Sequence, residues 1–437
     1  MDYQQAWTFL DNLQFFKIKL GLDAMDTFLG RVDNPQQNLP CVHIGGTNGK
    51  GSVGATLLSI LTKAGYTIGL YTSPHLSSVR ERFRIGNSYI SEQDFARLGS
   101  RIAGVLGKDQ ITYFEFTTTL ALLWFAENKV DLALMEVGMG GRLDATNVIE
   151  PLVSIITNVS MDHEQYLGNT LAEVAREKAG IIKPGIPIIS GAADDVCRQV
   201  IVDRCRELNS PLYLLDKDFS GERAENHWTY TGLDHRSRTD LPLTMKGSYQ
   251  VGNASLALAA LELLQEHNIQ VTDQQIRTGL SSTRWPGRLE EFCVSTSRTG
   301  ARPSAKDNSR RFLLDGAHNP AGVKALQLAL EKEFSYSRLI LVWGAMSDKD
   351  IATTLETIAP MADRILFTRP ESERSAMPED LMNCLPETMI DRAESVASVE
   401  KALQVAAEQA TEDDLICIAG SLYLVGRARQ ILLGELV

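Results

Sequence analysis

The chain has 437 residues, 44% of them hydrophobic and 22% charged, a balance ordinary for a soluble globular protein of two or three domains. Its formal charge of −12 argues against nucleic-acid partners, because phosphate contacts need a basic surface; an anionic substrate has to be held by a local positive site. The longest apolar runs, such as Leu132–Val137 and Leu339–Val342, are too short to span a bilayer, and Met1–Gln5 has no basic segment leading into an apolar run. The expectation is a cytoplasmic monomer with no membrane partner.

Taken in chain order, short β-rich apolar runs alternate with amphipathic stretches. Val42–Gly45, Thr67–Thr72, Leu132–Val137, Val153–Thr157 and Ile186–Ser190 read as buried strands. Val53–Lys63, Phe116–Glu127, Leu171–Ile181 and Val196–Leu208 read as helices between them, and Ser91-Glu92-Gln93-Asp94 marks a further helix start. Residues 216–248 break the rhythm with alternating Trp228, Tyr230, Leu241 and Leu243, which predicts a small antiparallel insertion before helical periodicity resumes over Val251–Leu264. Ser295–Arg311 is polar, basic and without an apolar period, and reads as an exposed loop near a domain junction. Beyond it Phe312–Leu314, Leu339–Trp343, Arg364–Phe367 and Leu415–Ala419 read as strands, each followed by a helix. The expected fold class is α/β: a P-loop-type, mainly parallel sheet domain over 1–286 and a smaller doubly wound, Rossmann-like domain over 287–437. The six cysteines are scattered, without a CxxC pair, which speaks against structural zinc.

The first chemical signal is Cys41-Val42-His43-Ile44-Gly45-Gly46-Thr47-Asn48-Gly49-Lys50-Gly51-Ser52, which follows a strand and opens a helix. Glycines let backbone N–H groups approach phosphate oxygens, the helix N-terminus adds positive potential, Lys50 supplies a point charge, and Ser52 offers a hydroxyl. The strict GxxxxGK[ST] string is not met, since Ile44 stands at the first glycine and Gly51 separates Lys50 from Ser52. A plain strand-to-helix turn is the alternative. Downstream, Glu136 closes a buried strand, where a carboxylate is costly unless it meets a cation or donors. Ser73, Glu136 and His163 could complete the oxygen-rich shell of magnesium beside a nucleotide, although histidine is an uncommon magnesium ligand. Gly138-Met139-Gly140 hints at a dinucleotide fingerprint, but Leu143 stands in place of the third glycine.

With these residues in view, Gly46–Ser52 resembles the phosphate loop of the Mur ligase superfamily in its dihydrofolate synthase/folylpolyglutamate synthase branch, which also carries glycine after the lysine. The resemblance extends to Tyr71–Leu76, Met135–Asn147, Asn158–His163, Arg176–Ile181, Trp285–Glu290, Leu313–Pro320 and Gly420–Gly426, in family order over nearly the whole chain. It implies ATP with Mg2+, the ion held by Ser73, Glu136 and His163. It further implies nucleotide contacts from Gly49, Lys50, Gly51, Ser52, Asn253, Arg288 and Asp315, a carbamylated Lys178, and an active-site motif containing His318. From its own surroundings Asn253 reads as a helix cap, and Lys178 beside Glu177 as part of a solvated helix face.

Thr112-Tyr113-Phe114-Glu115 and Leu143-Asp144-Ala145 resemble pterin-contacting segments of bifunctional members, and Ile18-Lys19-Leu20 aligns with another. Phe114 would stack on the pterin and Asp144 accept its donors; the alternative is that Phe114 is core. Ser421 is a candidate for the glutamate site, though a helix-capping serine looks the same. The implied reaction adds L-glutamate to dihydropteroate and to folates through an acyl phosphate. Rival readings are a folylpolyglutamate synthase alone, a cell-wall Mur ligase, a non-catalytic ATP-binding module, and a nicotinamide oxidoreductase.

Overall fold

The structure is a computed structural model and describes residues 1–13, 21–107, 109–225, 227–300, 309–370, 372 and 374–434. Ile18-Lys19-Leu20 and the middle of the 295–311 stretch lie outside the described residues.

Strands β1 (Cys41–Gly45), β2 (Ile68–Tyr71), β3 (Phe83–Ile85), β4 (Ser88–Tyr89), β5 (Leu132–Glu136), β6 (Val153–Ile156), β7 (Ile188–Ser190) and β8 (Leu212–Leu214) form one sheet in the order β4-β3-β2-β5-β1-β6-β7-β8. All pairings are parallel except β2/β3 and β3/β4. β1 lies between β5 and β6, so the chain leaves it at a point where connections diverge, and the crevice beyond such strand ends is where α/β sheets bind ligands. Both faces are covered. Helix Lys50–Lys63 packs Val53, Leu57 and Ile60 into a core shared with Ala257, Leu261 and Leu280, while Phe95, Phe116 and Leu120 build a core that includes Tyr71 and Met135.

The predicted insertion is a three-stranded antiparallel sheet of β9 (Ser220–Arg223), β10 (His227–Thr231) and β11 (Ser237–Pro242), with Trp228 and Tyr230 turned into the core. A second sheet joins β12 (Glu290–Ser295), β13 (Ser309–Leu314), β14 (Leu339–Trp343), β15 (Arg364–Thr368), β16 (Ala393–Val396) and β17 (Leu415–Ala419) in the order β12-β13-β17-β14-β15-β16. Only β12/β13 is antiparallel.

Three sequence expectations need correction. Ser295–Arg311 is not all loop: Thr296–Thr299 forms a 3₁₀ turn, and β13 begins at Ser309. The basic residues there sit in a strand because they are satisfied, Arg311 by Glu291 at 2.9 Å and Arg310 Nε by the Ala407 carbonyl at 3.0 Å. Asn253 caps no helix, since Tyr249–Leu264 starts a turn earlier with Ser248 at its cap. The solvated-face reading of Lys178 also fails: its helix, Leu171–Ala179, turns Val174, Ala175 and Lys178 inward.

Candidate active site

The site is built first from the turn after β1. Gly49 caps helix Lys50–Lys63 with φ +87°, and a Cβ there would sit 2.5 Å from Asn253 Oδ1. Glycine is thus required both by the left-handed backbone and by the approach of Asn253. The residue after the lysine must be small for a different reason: a Cβ on Gly51 would lie 2.5 Å from the Trp285 ring. The unusual spacing of the loop is a packing requirement.

The loop is clamped from β6. Thr47 N–H donates to the Asn158 carbonyl (3.0 Å), Asn48 N–H to Asn158 Oδ1 (3.0 Å), and Thr157 Oγ1 to the Asn48 carbonyl (2.6 Å). Lys50 Nζ folds back onto the Gly46 and Thr47 carbonyls, each at 3.1 Å. What remains is a row of helix-start amides with one ammonium beside them, an anion-binding arrangement.

Around it lie ionisable groups perturbed by one another. Glu136, at the end of β5, is 5% exposed and among the described residues receives one hydrogen bond, from the Ser73 N–H at 3.4 Å; burial pushes it up to about 7 against the pull of Lys50. Lys178 is 3% exposed; burial, helped by repulsion from Lys50, pushes it down to about 7. Burial and then Lys349 push His163 down to about 4, leaving a neutral ring with a lone pair to offer. Asp162 beside it is held well below the usual carboxylate range: burial works the other way, but His318, His163 and Lys349 outweigh it.

The residues present suit a magnesium ion. Glu136 is a buried carboxylate short of donors, His163 is neutral, and the Ser73 backbone meets Glu136. Among the described residues no three His, Cys, Asp or Glu side chains group to hold a metal alone. An ion here would complete its shell with hydroxyl, water or phosphate oxygens, which is the habit of magnesium.

The carboxyl edge of the second sheet closes over this centre. Asn319 and Asn48 exchange amide hydrogen bonds at 3.2 and 3.3 Å, and Asn319 Nδ2 also donates to Asp162 at 3.0 Å. Lys349 Nζ meets Asp162 at 2.5 Å, and His318 Nε2 stands 3.6 Å from it, with Nδ1 donating to the Gly316 carbonyl. Asp315, just past β13, accepts from the amides of Leu289 and Ala317, each at 2.9 Å, and so ties the Trp285–Glu290 turn to the sheet.

Two cavities result. A small one of about 60 Å³ gathers Gly51, Ser73, Glu136, Trp285 and Arg288. The larger, about 340 Å³, is lined by Thr112, Tyr113, Phe114, Glu115, Leu143, Asp144, Ala145, Ser73, His163, His318 and Ser421. Candidates separated by more than 300 positions therefore share one chamber. Phe114 is half-buried at the start of helix Tyr113–Glu127, with a ring exposed to the cavity, whereas Phe116 is core. Thr112 and Glu115 cap that helix reciprocally. Asp144 Oδ2 takes the Gly138 and Met139 amides, and its Oδ1 takes Thr146 Oγ1 at 2.5 Å; behind that hydroxyl stands the buried His43 at 2.8 Å. Ser421 caps helix Leu422–Leu433 and also faces the cavity. Ser52 is buried in the first turn of its helix, with Asn253 buried beside Gly49. Sequence reasoning missed Asp162, Lys349 and Arg82. Asp162 stood inside a motif already singled out, while the other two had no local signal.

The fold and site agree with what comparison finds. Residues 44–261 match the Mur ligase middle domain, and residues 302–422 match the Mur ligase glutamate ligase domain. The dihydrofolate synthase/folylpolyglutamate synthase of Bacillus subtilis is 32% identical over 98% of both chains. That of Escherichia coli is 31% identical over 98% of this chain and 95% of its own. Among solved structures, E. coli FolC in complex with DHPP and ADP superposes with a TM-score of 0.87 at 30% identity, covering 99% of this chain and 97% of that one. A bifunctional folylpolyglutamate synthase/dihydrofolate synthase with Mn, AMPPNP and L-glutamate bound gives 0.86 at 31%, covering 99% and 98%. The chain belongs to the dihydrofolate synthase/folylpolyglutamate synthase family of Mur-type ligases.

Proposed function

We propose that this chain is an ATP-dependent ligase that adds L-glutamate to dihydropteroate, giving dihydrofolate, and to folates that already carry glutamate. One observation carries the reading: the chamber lined by Phe114 and Asp144 shares Ser73 with the small cavity that holds Gly51 of the phosphate loop, Glu136 and Arg288. An apolar-walled site for a flat acid and a cationic site for a phosphate are thereby contiguous. The related structures with DHPP, ADP, AMPPNP, Mn and L-glutamate support the same substrates and a divalent ion here.

The acid's carboxylate attacks the γ-phosphate of ATP, giving an acyl phosphate and ADP; the amine of glutamate then attacks the acyl carbon, and phosphate leaves. The helix-start amides at Gly49–Ser52, Lys50 and Arg288 hold and neutralise the phosphoryl oxygens, and Asn253 and Asp315 secure the nucleotide's surroundings. Ser73, Glu136 and His163 would hold magnesium, which when bound supplies positive charge beside the terminal phosphates. His318 and Ser421 belong to the glutamate side. Closure of residues 287–437 over residues 1–286, treated as two domains, keeps water from the acyl phosphate. The enzyme acts as a cytoplasmic monomer.

Lys178 serves as a carbamate. Carbon dioxide reacts with a neutral amine, and a buried lysine brought down to about 7 is half neutral at that pH. The product is an anion, which relieves repulsion from Lys50. Enzyme freed of bicarbonate should lose most activity and regain it on adding bicarbonate, faster at pH 8 than at pH 6; Lys178→Met should not respond. Equal bicarbonate response in that variant rejects the modification.

The function itself is tested by product analysis with dihydropteroate, tetrahydrofolate and a UDP-muramyl peptide as competing acceptors. ADP release matched by glutamylated pteroate and folate is expected. Use of tetrahydrofolate alone would reduce the enzyme to a folylpolyglutamate synthase, and preference for the muramyl peptide would overturn the folate assignment.

A further inference from the structure

Among the described residues, three side-chain cations of lysine and arginine line the larger cavity, and two are neutralised: Lys349 by Asp162 at 2.5 Å and Arg374 by Asp348 at 2.6 Å. The third, Arg82, is 5% exposed and forms no ion pair with any described carboxylate. Its Nε donates to His75 Nδ1 at 2.9 Å, and its guanidinium carbon lies 5.1 Å from the centre of the Tyr113 ring. Burial and then Arg82 itself keep the His75 ring neutral, so it accepts this hydrogen bond without adding a second positive charge, and it is no counter-ion. The imidazole and the phenol ring fix the plane of the guanidinium, and among the described residues its two terminal nitrogens meet no acceptor. A buried charge is costly without a counter-ion, and a guanidinium fork matches the two oxygens of a carboxylate.

We propose that Arg82 is a binding residue for a substrate carboxylate, supplying the charge partner that the protein itself withholds. The inference rests on the ligase reading above, and both of its acids fit the chemistry: the pteroyl acceptor and the incoming amino acid each carry carboxylates. Position favours neither, since Arg82 lies against Tyr113 and borders the same chamber as Ser421. Nucleotide phosphates have their own cations in Lys50 and Arg288.

The test uses the full-length enzyme with Arg82→Gln, which keeps a polar N–H donor on a shorter side chain but not the charge, and Arg82→Lys, which keeps charge but not the fork. Apparent KM values are measured separately for dihydropteroate, L-glutamate and ATP. The expected result for Arg82→Gln is a rise of at least about tenfold in KM for one acid, a change within about twofold for ATP, and partial recovery in Arg82→Lys. A rise for dihydropteroate assigns the residue to the acceptor; a rise for L-glutamate assigns it to the amino acid. Unchanged KM for both acids, or a rise for ATP alone, overturns the proposal. Should the glutamine variant not fold, a crystal structure of the wild type with dihydropteroate and with L-glutamate decides. A carboxylate oxygen within hydrogen-bond reach of Arg82 supports the assignment, and none in either complex removes it. Wild-type enzyme that makes no amide at all would instead reject the ligase reading, which keeps the two failures apart.

Discussion

Replacing Lys50 with alanine is expected to lower ADP-coupled amide formation by about 10³-fold or more while leaving the protein folded. Among the described residues the ammonium hydrogen-bonds the Gly46 and Thr47 carbonyls and no side chain, and the clamp from Thr157 and Asn158 still shapes the loop without it. The electrostatic consequences go further. Lys50 holds Glu136 down and pushes Lys178 down, so without it both groups rise: the carboxylate is harder to ionise and the lysine harder to neutralise. Single-turnover assays with saturating ATP separate this from weak nucleotide binding, and circular dichroism checks the fold. A variant that turns over at more than a tenth of the wild-type rate would remove Lys50 from the reaction.

Glu136→Gln should abolish ligation and, without metal, stabilise the protein at neutral and higher pH. The sign follows from linkage. Glu136 has a folded value of about 7 against an ordinary 4.5, so between these values the folded state binds more protons than the unfolded state. Its contribution is fully present below the unfolded value and is lost as pH rises through about 7, a difference on the order of 3 kcal/mol. The glutamine variant lacks that decline. Melting temperatures of the two proteins from pH 4.5 to 8 in EDTA should diverge as pH rises, the variant lying higher. With a non-hydrolysable nucleotide already present, adding Mg2+ should raise the wild type further and the variant much less. Parallel profiles, or equal metal responses, would show that this carboxylate is no cation site.

Much of the fold was legible because its strands are continuous apolar runs and its helices carry clear starts; Ser91 caps as its sequence indicates, whereas the helix read as starting at Phe116 begins at Tyr113 with Thr112 as its cap. Glu136 was legible for a related reason, an acid ending an apolar run. Lys178 was not. Glu177 and Lys178 look alike in sequence, and only the packing of helix Leu171–Ala179 sends one outward and the other inward. β12 escaped notice because Glu290 and Glu291 give it no apolar period; it is held by pairing with β13 and by Arg311 and Lys246 reaching Glu291. Arg82 and Lys349 were invisible for a deeper reason. Their significance lies in which neighbours they have or lack, and those neighbours come from distant parts of the chain. The phosphate loop needed no such information, since strand, glycines, lysine and helix are consecutive.

The Trp285 ring, pressed against Gly51, has a mechanical consequence. This indole stands at the threshold of the turn that carries Arg288 and leads into the second sheet, and Asp315 bolts that turn to β13. The start of helix Lys50–Lys63 and the turn that leads into β12 therefore meet directly, indole against glycine, with no residue between them to absorb a change in either.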